Sequence, residues 1–246
     1  MVGYSEIAAT IPVELIAEYM NAYFENQSKE IVATGGIIDK YIGDKIMAVW
    51  DDENSAENSV LAASRQQHAL IEFNAWATSH QMPAAKNRIG VATGYVNVDY
   101  GPGINDIRVL GDHVSLAFRL EAIAGEYGAI TLMDQATQVL LPLQKWAMRH
   151  ADTVRVKGKE FPMKLYSLHG ERSNLSSEDL NFLEQHRVAM EHYTAARFQE
   201  AKAIFATMMQ DHPSDRLASL FASRCDMMLE HPEYQGWDGT TPYFHT

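Results

Sequence analysis

Residues 35–50, Gly-Gly-Ile-Ile-Asp-Lys-Tyr-Ile-Gly-Asp-Lys-Ile-Met-Ala-Val-Trp, constrain the fold more tightly than any other stretch of this chain. Two β-rich runs, Ile37 to Ile42 and Lys45 to Trp50, flank Gly43-Asp44. Glycine at the first central position of a two-residue hairpin loop suits a type II′ turn, which needs positive φ there. Such a turn holds Asp44 at the tip with its backbone fixed and its carboxylate projecting. Lys40 stands four residues earlier, so one short hairpin carries a cation and an anion at defined places. A single rigid carboxylate suits Mg²⁺, which takes one or two carboxylates plus substrate phosphates rather than an all-protein cage.

This stretch closely resembles the GGxxxKxxGDxxMAx(F/W) signature of class III nucleotide cyclases, which convert ATP or GTP to a 3′,5′-cyclic nucleotide and pyrophosphate. Further matches follow in the family's order. Arg88-Ile-Gly-Val-Ala-Thr-Gly94 is similar to RIGIHTG. Val109-Leu-Gly-Asp-His-Val-Ser-Leu-Ala-Phe-Arg-Leu-Glu121 is similar to VIGDTVNLAARLE, and Val154-Arg-Val-Lys-Gly-Lys159 to the closing VKGK. Met1-Val-Gly-Tyr-Ser-Glu6 resembles the end of the family's opening motif. The resemblance covers residues 1–170. It implies an α/β (α+β sandwich) domain of ferredoxin-like βαββαβ topology, here without its first strand.

Composition narrows the function classes. A formal net charge of −12, with no basic block, argues against a nucleic-acid surface. The single cysteine, Cys225, cannot form an internal disulfide and fits a reducing compartment. No run of about 18 apolar residues and no secretion-signal layout occur, so the expected location is cytoplasmic. The ten histidines show no H-x-x-x-H or Cys/His spacing, which excludes a recognisable zinc motif.

Periodicity predicts alternating helices and strands. Thr10 is a candidate cap for a helix carrying Leu15, Ile16, Tyr19, Met20, Tyr23 and Phe24 at helical spacing, with Pro12 in its first turn. A second helix is expected over 55–80, strands over 88–99, and a helix from Gly111-Asp112. A strand at 129–133, a short helix to Leu141 and a strand pair near 152–168 complete the domain. Residues 171–177 turn polar and read as a linker. Beyond it, 178–246 form a helical tail with stretches near 178–194, 197–210 and 214–230. Ala189, Tyr193, Phe198, Ala201, Phe205 and Pro213 suggest one tetratricopeptide-like helix pair, which cannot bury its own face and so requires a surface to pack on. Cys225 and the methionines of the tail read as packing residues. Tails ending in a Trp-Asp-Gly like 237–239 follow the cyclase domain in bacterial CHASE2-type cyclases. Any membrane attachment would therefore come through a segment outside this chain.

The resemblance also implies site residues. Asp44 matches a ligand of the catalytic Mg²⁺ or Mn²⁺ pair. Lys40 matches a lysine that donates to adenine N1. Arg119 matches the arginine that stabilises charge on the phosphate in the transition state, and Lys157 or Lys159 one that neutralises the terminal phosphates. Family sites form across a head-to-tail homodimer, with groups from both protomers. Three positions depart from the pattern. The first metal aspartate of the family would immediately precede Met1. Ser115 stands where the family has an asparagine that orients the ribose, and a hydroxyl is shorter and needs a bridging water. Arg108 stands where adenylate cyclases have an acceptor for the adenine amino group, and arginine has none.

Each residue also has a plainer reading: Asp44 as a turn residue, Lys40 as a solvated strand charge, Arg119 as a partner of Glu121 or a helix cap, and Lys157-Gly-Lys159 as a charged turn. Two functional classes follow. One is a purine nucleotide cyclase, with ATP favoured over GTP by Lys40. The other is a cyclase-homology domain that dimerises or binds nucleotide without turnover.

Overall fold

In the computed structural model, residues 1–100, 107–156, 161–231 and 237–243 are described. Contacts divide the chain into two units, Met1–Arg119 and Leu120–Thr246.

The first unit opens with α1 (Tyr4–Thr10) and α2 (Val13–Ala33). Thr10 does not cap the second of these helices as its sequence context suggests; it closes the first, its hydroxyl donating to the Ile7 carbonyl at 2.8 Å. Pro12 is the reason. The residue before a proline is driven out of the helical region, and Ile11 is extended at φ −96°, ψ 133°. The expected apolar stripe does form. Tyr19, Met20 and Tyr23 of α2 bury against Leu70, Phe73 and Ala77, which belong to α3. Phe73 meets both tyrosine rings edge-on, at 5.2 and 5.5 Å between centroids.

Between those helices the chain forms the predicted hairpin, β1 (Ile37–Ile42) and β2 (Lys45–Val49), followed by α3 (Ser55–Ser79). Its base is tightly packed: a Cβ at Gly36 would stand 2.7 Å from both the Ile31 side chain and the Trp50 ring. β3 (Ile89–Val91) follows, then a second antiparallel hairpin of β4 (Asn97–Tyr100) and β5 (Ile107–Leu110). α4 (Asp112–Ala124) continues the chain into the second unit.

The second unit contains β6 (Thr131–Asp134), α5 (Gln135–Val139), β7 (Trp146–Val156) and β8 (Met163–Glu171). Asp134 caps α5 by accepting from the Thr137 amide. β8 pairs antiparallel with both β6 and β7. A 3₁₀ turn at Arg172–Asn174 leads into α6 (Ser177–Thr194), whose start is closed by a Ser176–Asp179 capping box. α7 (Phe198–Asp211) and α8 (Arg216–Glu230) complete the helical tail, and β9 (Thr241–Tyr243) pairs parallel with the end of β7.

The tail packs on β7, meeting the requirement that its helix pair find a surface. Arg149 of β7 makes a two-pronged ion pair with Asp215 at the start of α8, at 2.8 and 2.5 Å. Buried Asp152 accepts from Tyr127 (2.9 Å), Arg224 (2.8 Å) and Thr241 (3.1 Å). His186 of α6 is buried and donates from Nε2 to the His150 carbonyl at 2.7 Å. The Trp-Asp-Gly segment finishes the attachment. Trp237 donates to the Tyr193 carbonyl (3.1 Å) and packs edge-on against Tyr193 and Phe198, while Asp238 pairs with Arg155 (2.6 Å). Cys225 is fully buried, and burial pushes its thiol up to about 12, which makes it a packing residue.

Candidate functional site

The first hairpin has the geometry its sequence demands. Ile42 pairs with Lys45, leaving Gly43-Asp44 as a two-residue loop. Gly43 has φ +60°, whereas Asp44 is not among the residues of positive φ, which is the type II′ pattern. A side chain at position 43 would be strained by that φ, although open space surrounds it. Asp44 therefore sits at a stiff bend, with its side chain one-fifth exposed.

The Asp44 carboxylate lies beside Met1. The Met1 ammonium lies 2.8 Å from its Oδ2. A residue placed ahead of Met1 would thus lie beside this carboxylate, and the Met1 nitrogen would then be an uncharged amide. No cluster of three metal-ligating side chains forms among the described residues. The bend accordingly offers Mg²⁺ or Mn²⁺ one carboxylate, which fits an ion that completes its shell with water and phosphate oxygens.

Lys40 lies on β1 of the same hairpin, with 44% of its side chain exposed. Its neighbour is a residue that the sequence motifs do not single out. Between Ile38, opposite Ala48, and Lys40, opposite Met47, the register shifts by one residue, so Asp39 is the extra residue of a β-bulge. Its side chain is wholly buried, and its Oδ2 lies 3.1 Å from the Lys40 ammonium. The signal in the sequence is the apolar doublet Ile37-Ile38, which breaks strand alternation immediately before the acid.

Arg108 lies on β5, exposed and directly opposite Asp99 of β4. β1 and β5 approach one another, so the strands carrying Lys40 and Arg108 are neighbours. Ser115 and Arg119 are four residues apart on α4, hence on one face of that helix, and both are exposed. Lys157 and Lys159 lie outside the described residues. The first unit thus carries Lys40, Asp44, Arg108, Ser115 and Arg119: a carboxylate on a rigid bend, cations on two strands, and a hydroxyl with a guanidinium on one helix face.

Comparison with known proteins gives a consistent picture. The profile of the adenylate and guanylate cyclase catalytic domain matches residues 1–170. The chain is 32% identical over 176 residues to an adenylate cyclase of Anabaena cylindrica, covering 68% of this chain and 34% of that protein. It is 27% identical over 231 residues to the terminal-differentiation-specific adenylate cyclase of Dictyostelium discoideum, covering 91% of this chain and 11% of that one. It therefore spans about a third or less of the length of these relatives. Among solved structures, the adenylyl cyclase CyaB from P. aeruginosa superposes with a TM-score of 0.59 at 26% identity, over 71% of this chain and 92% of that one. A guanylyl cyclase crystal structure superposes with a TM-score of 0.60 at 24% identity, over 72% and 92%, a likeness of fold. No helix among the described residues is long and apolar enough to cross a membrane.

Proposed function

The chain belongs to the adenylate and guanylate cyclase catalytic domain family, and from that premise we propose that it converts ATP to 3′,5′-cyclic AMP and pyrophosphate at a site completed by a second copy of itself. In this reaction the ribose 3′-oxygen attacks the α-phosphorus and loses its proton. The bond from that phosphorus to the oxygen bridging to the β-phosphate breaks, and pyrophosphate leaves with its electron pair. Little covalent work falls to side chains, so catalysis rests on positioning and charge.

The observation that carries this reading is the type II′ bend that holds the Asp44 carboxylate at the tip of the hairpin bearing Lys40. Asp44 would hold a divalent ion, which when bound lowers the cost of charge on the phosphate oxygens. Lys40 would donate to N1 of adenine; guanine carries a hydrogen at that position and cannot accept. Arg119 would face the phosphate charge that grows in the transition state, and Ser115, one helical turn away, would meet the ribose through a water. Lys157 or Lys159 would neutralise the terminal phosphates. Arg108 supplies no acceptor for the adenine amino group, so ATP preference falls mainly to Lys40.

The test is product formation from ATP and from GTP with Mn²⁺, by the wild-type protein and by Asp44→Asn. The reading expects cyclic AMP as the main product and a loss on the order of 10²–10³ in rate for the variant, as when one preorganised charge-stabilising group is removed. Turnover unchanged in Asp44→Asn would remove that residue from the metal site.

A further inference from the structure

The buried carboxylate beside Lys40 takes no part in the cyclisation step. Neighbouring residues of a regular strand point to opposite faces, so Asp39 and Lys40 should not meet. They meet because Asp39 is the unpaired residue of the β1 bulge, which rotates the strand locally and brings its Oδ2 within 3.1 Å of Lys40 Nζ. The pair is asymmetric. The Asp39 side chain is fully buried, while Lys40 reaches partly into solvent. Both Asp39 oxygens are buried without a hydrogen bond, and among the described residues the Lys40 ammonium is the cation at ion-pair distance.

That arrangement acts on Lys40. A buried carboxylate separated from its cation is strongly disfavoured, so Asp39 restrains the ammonium far more than solvent restrains an ordinary exposed lysine. A lysine side chain otherwise samples many rotamers, and fixing one opposes binding by roughly 1–2 kcal/mol of side-chain entropy. Here that ordering precedes the nucleotide. The ammonium has three donors; with one turned to Asp39, the remainder face outward and require an acceptor from whatever base arrives. Adenine N1 accepts from them directly, whereas guanine N1 carries a hydrogen and does not.

We propose that Asp39 is a positioning residue that pre-orders the Lys40 ammonium for reading the purine edge, and so sets the preference for ATP over GTP that Arg108 cannot supply. This rests on the cyclase reading of the site and deepens it.

The test uses the full chain, with steady-state kinetics on ATP and on GTP in Mn²⁺. The variants are Asp39→Asn, Lys40→Met and the double variant. Asparagine keeps the buried shape and removes a charge whose partner is half in solvent, so folding should survive; a thermal melt of each variant verifies it. Asp39→Asn is expected to raise KM for ATP about tenfold with kcat changed less than about twofold, and to lower the ATP/GTP ratio of kcat/KM about tenfold, the effect of weakening the charge-assisted hydrogen bond from Lys40 to the base once its ion-pair partner is gone. In the Lys40→Met background Asp39→Asn should add nothing further, because the acid acts through the lysine. Selectivity that changes equally in both backgrounds, or a fall in kcat with KM intact, overturns the proposal while leaving the cyclase reading in place. A wild-type protein that cyclises neither nucleotide overturns both.

Discussion

Lowering the pH from 7.5 to 5.0 should destabilise the second unit, and His150 of β7 allows the effect to be sized. Burial is the main reason its imidazole is held down to about 4 from the ordinary 6.5; Lys164 pushes the same way, and Asp152 offsets part of it. The folded state therefore keeps His150 neutral, while the unfolded chain takes up a proton as pH falls below 6.5. Stability is complete above that value and is lost as pH falls toward 4. At pH 5 the difference amounts to about 2 kcal/mol from this one side chain. His186 works in the same direction: it is wholly buried, and charging it would set a cation near Arg149. The assay is urea unfolding followed by tryptophan fluorescence, with Trp146 buried on the same strand as a reporter. His150→Gln should lose about 2 kcal/mol less than wild type between the two pH values. Identical losses in the two proteins would refute the assignment of His150 as a neutral, half-buried group.

Other expectations rest on packing and on the hairpin. Asp152→Ala leaves Arg224, Tyr127 and Thr241 without their shared acceptor and should cost about 3–5 kcal/mol in chemical unfolding, as when one partner of a buried ion pair is removed. Gly36→Ala would drive a methyl against Ile31 and the Trp50 ring; a loss of about 1–3 kcal/mol, read as a lower melting temperature, is expected from such overpacking. Lys40→Met should reduce kcat/KM for ATP more than for GTP, measured in parallel cyclisation assays.

Local chemistry is legible in the sequence where one or two residues dictate it. Gly43 alone selects the turn that places Asp44, and the 3.6-residue spacing of Tyr19, Met20 and Tyr23 reveals which face of α2 is buried. The helices at 55–79 and 177–194 are readable for the same reason. Features that depend on distant partners are not. Nothing near Asp152 announces that Arg224, 72 positions later, will share its carboxylate, and Trp237 shows its purpose only when Tyr193 is beside it. Thr10 misleads because a capping residue and a residue closing the previous helix look alike until the effect of Pro12 on Ile11 is considered. The site is legible through motifs on the hairpin and on α4, whereas the bulge at Asp39 is hinted at only by the Ile37-Ile38 doublet. Strand alternation assigns an acid and the following lysine to opposite faces, and only the register with β2 shows that they meet.

The most direct test of the central claim is manganese-dependent cyclic AMP formation from ATP, compared between the wild-type protein and Asp44→Asn, with the protein also produced with the residues, if any, that precede Met1. Turnover that rises with Mn²⁺ and disappears in the variant is the predicted result. Cyclic AMP formed at the wild-type rate by Asp44→Asn, or formed without any divalent ion, would contradict it.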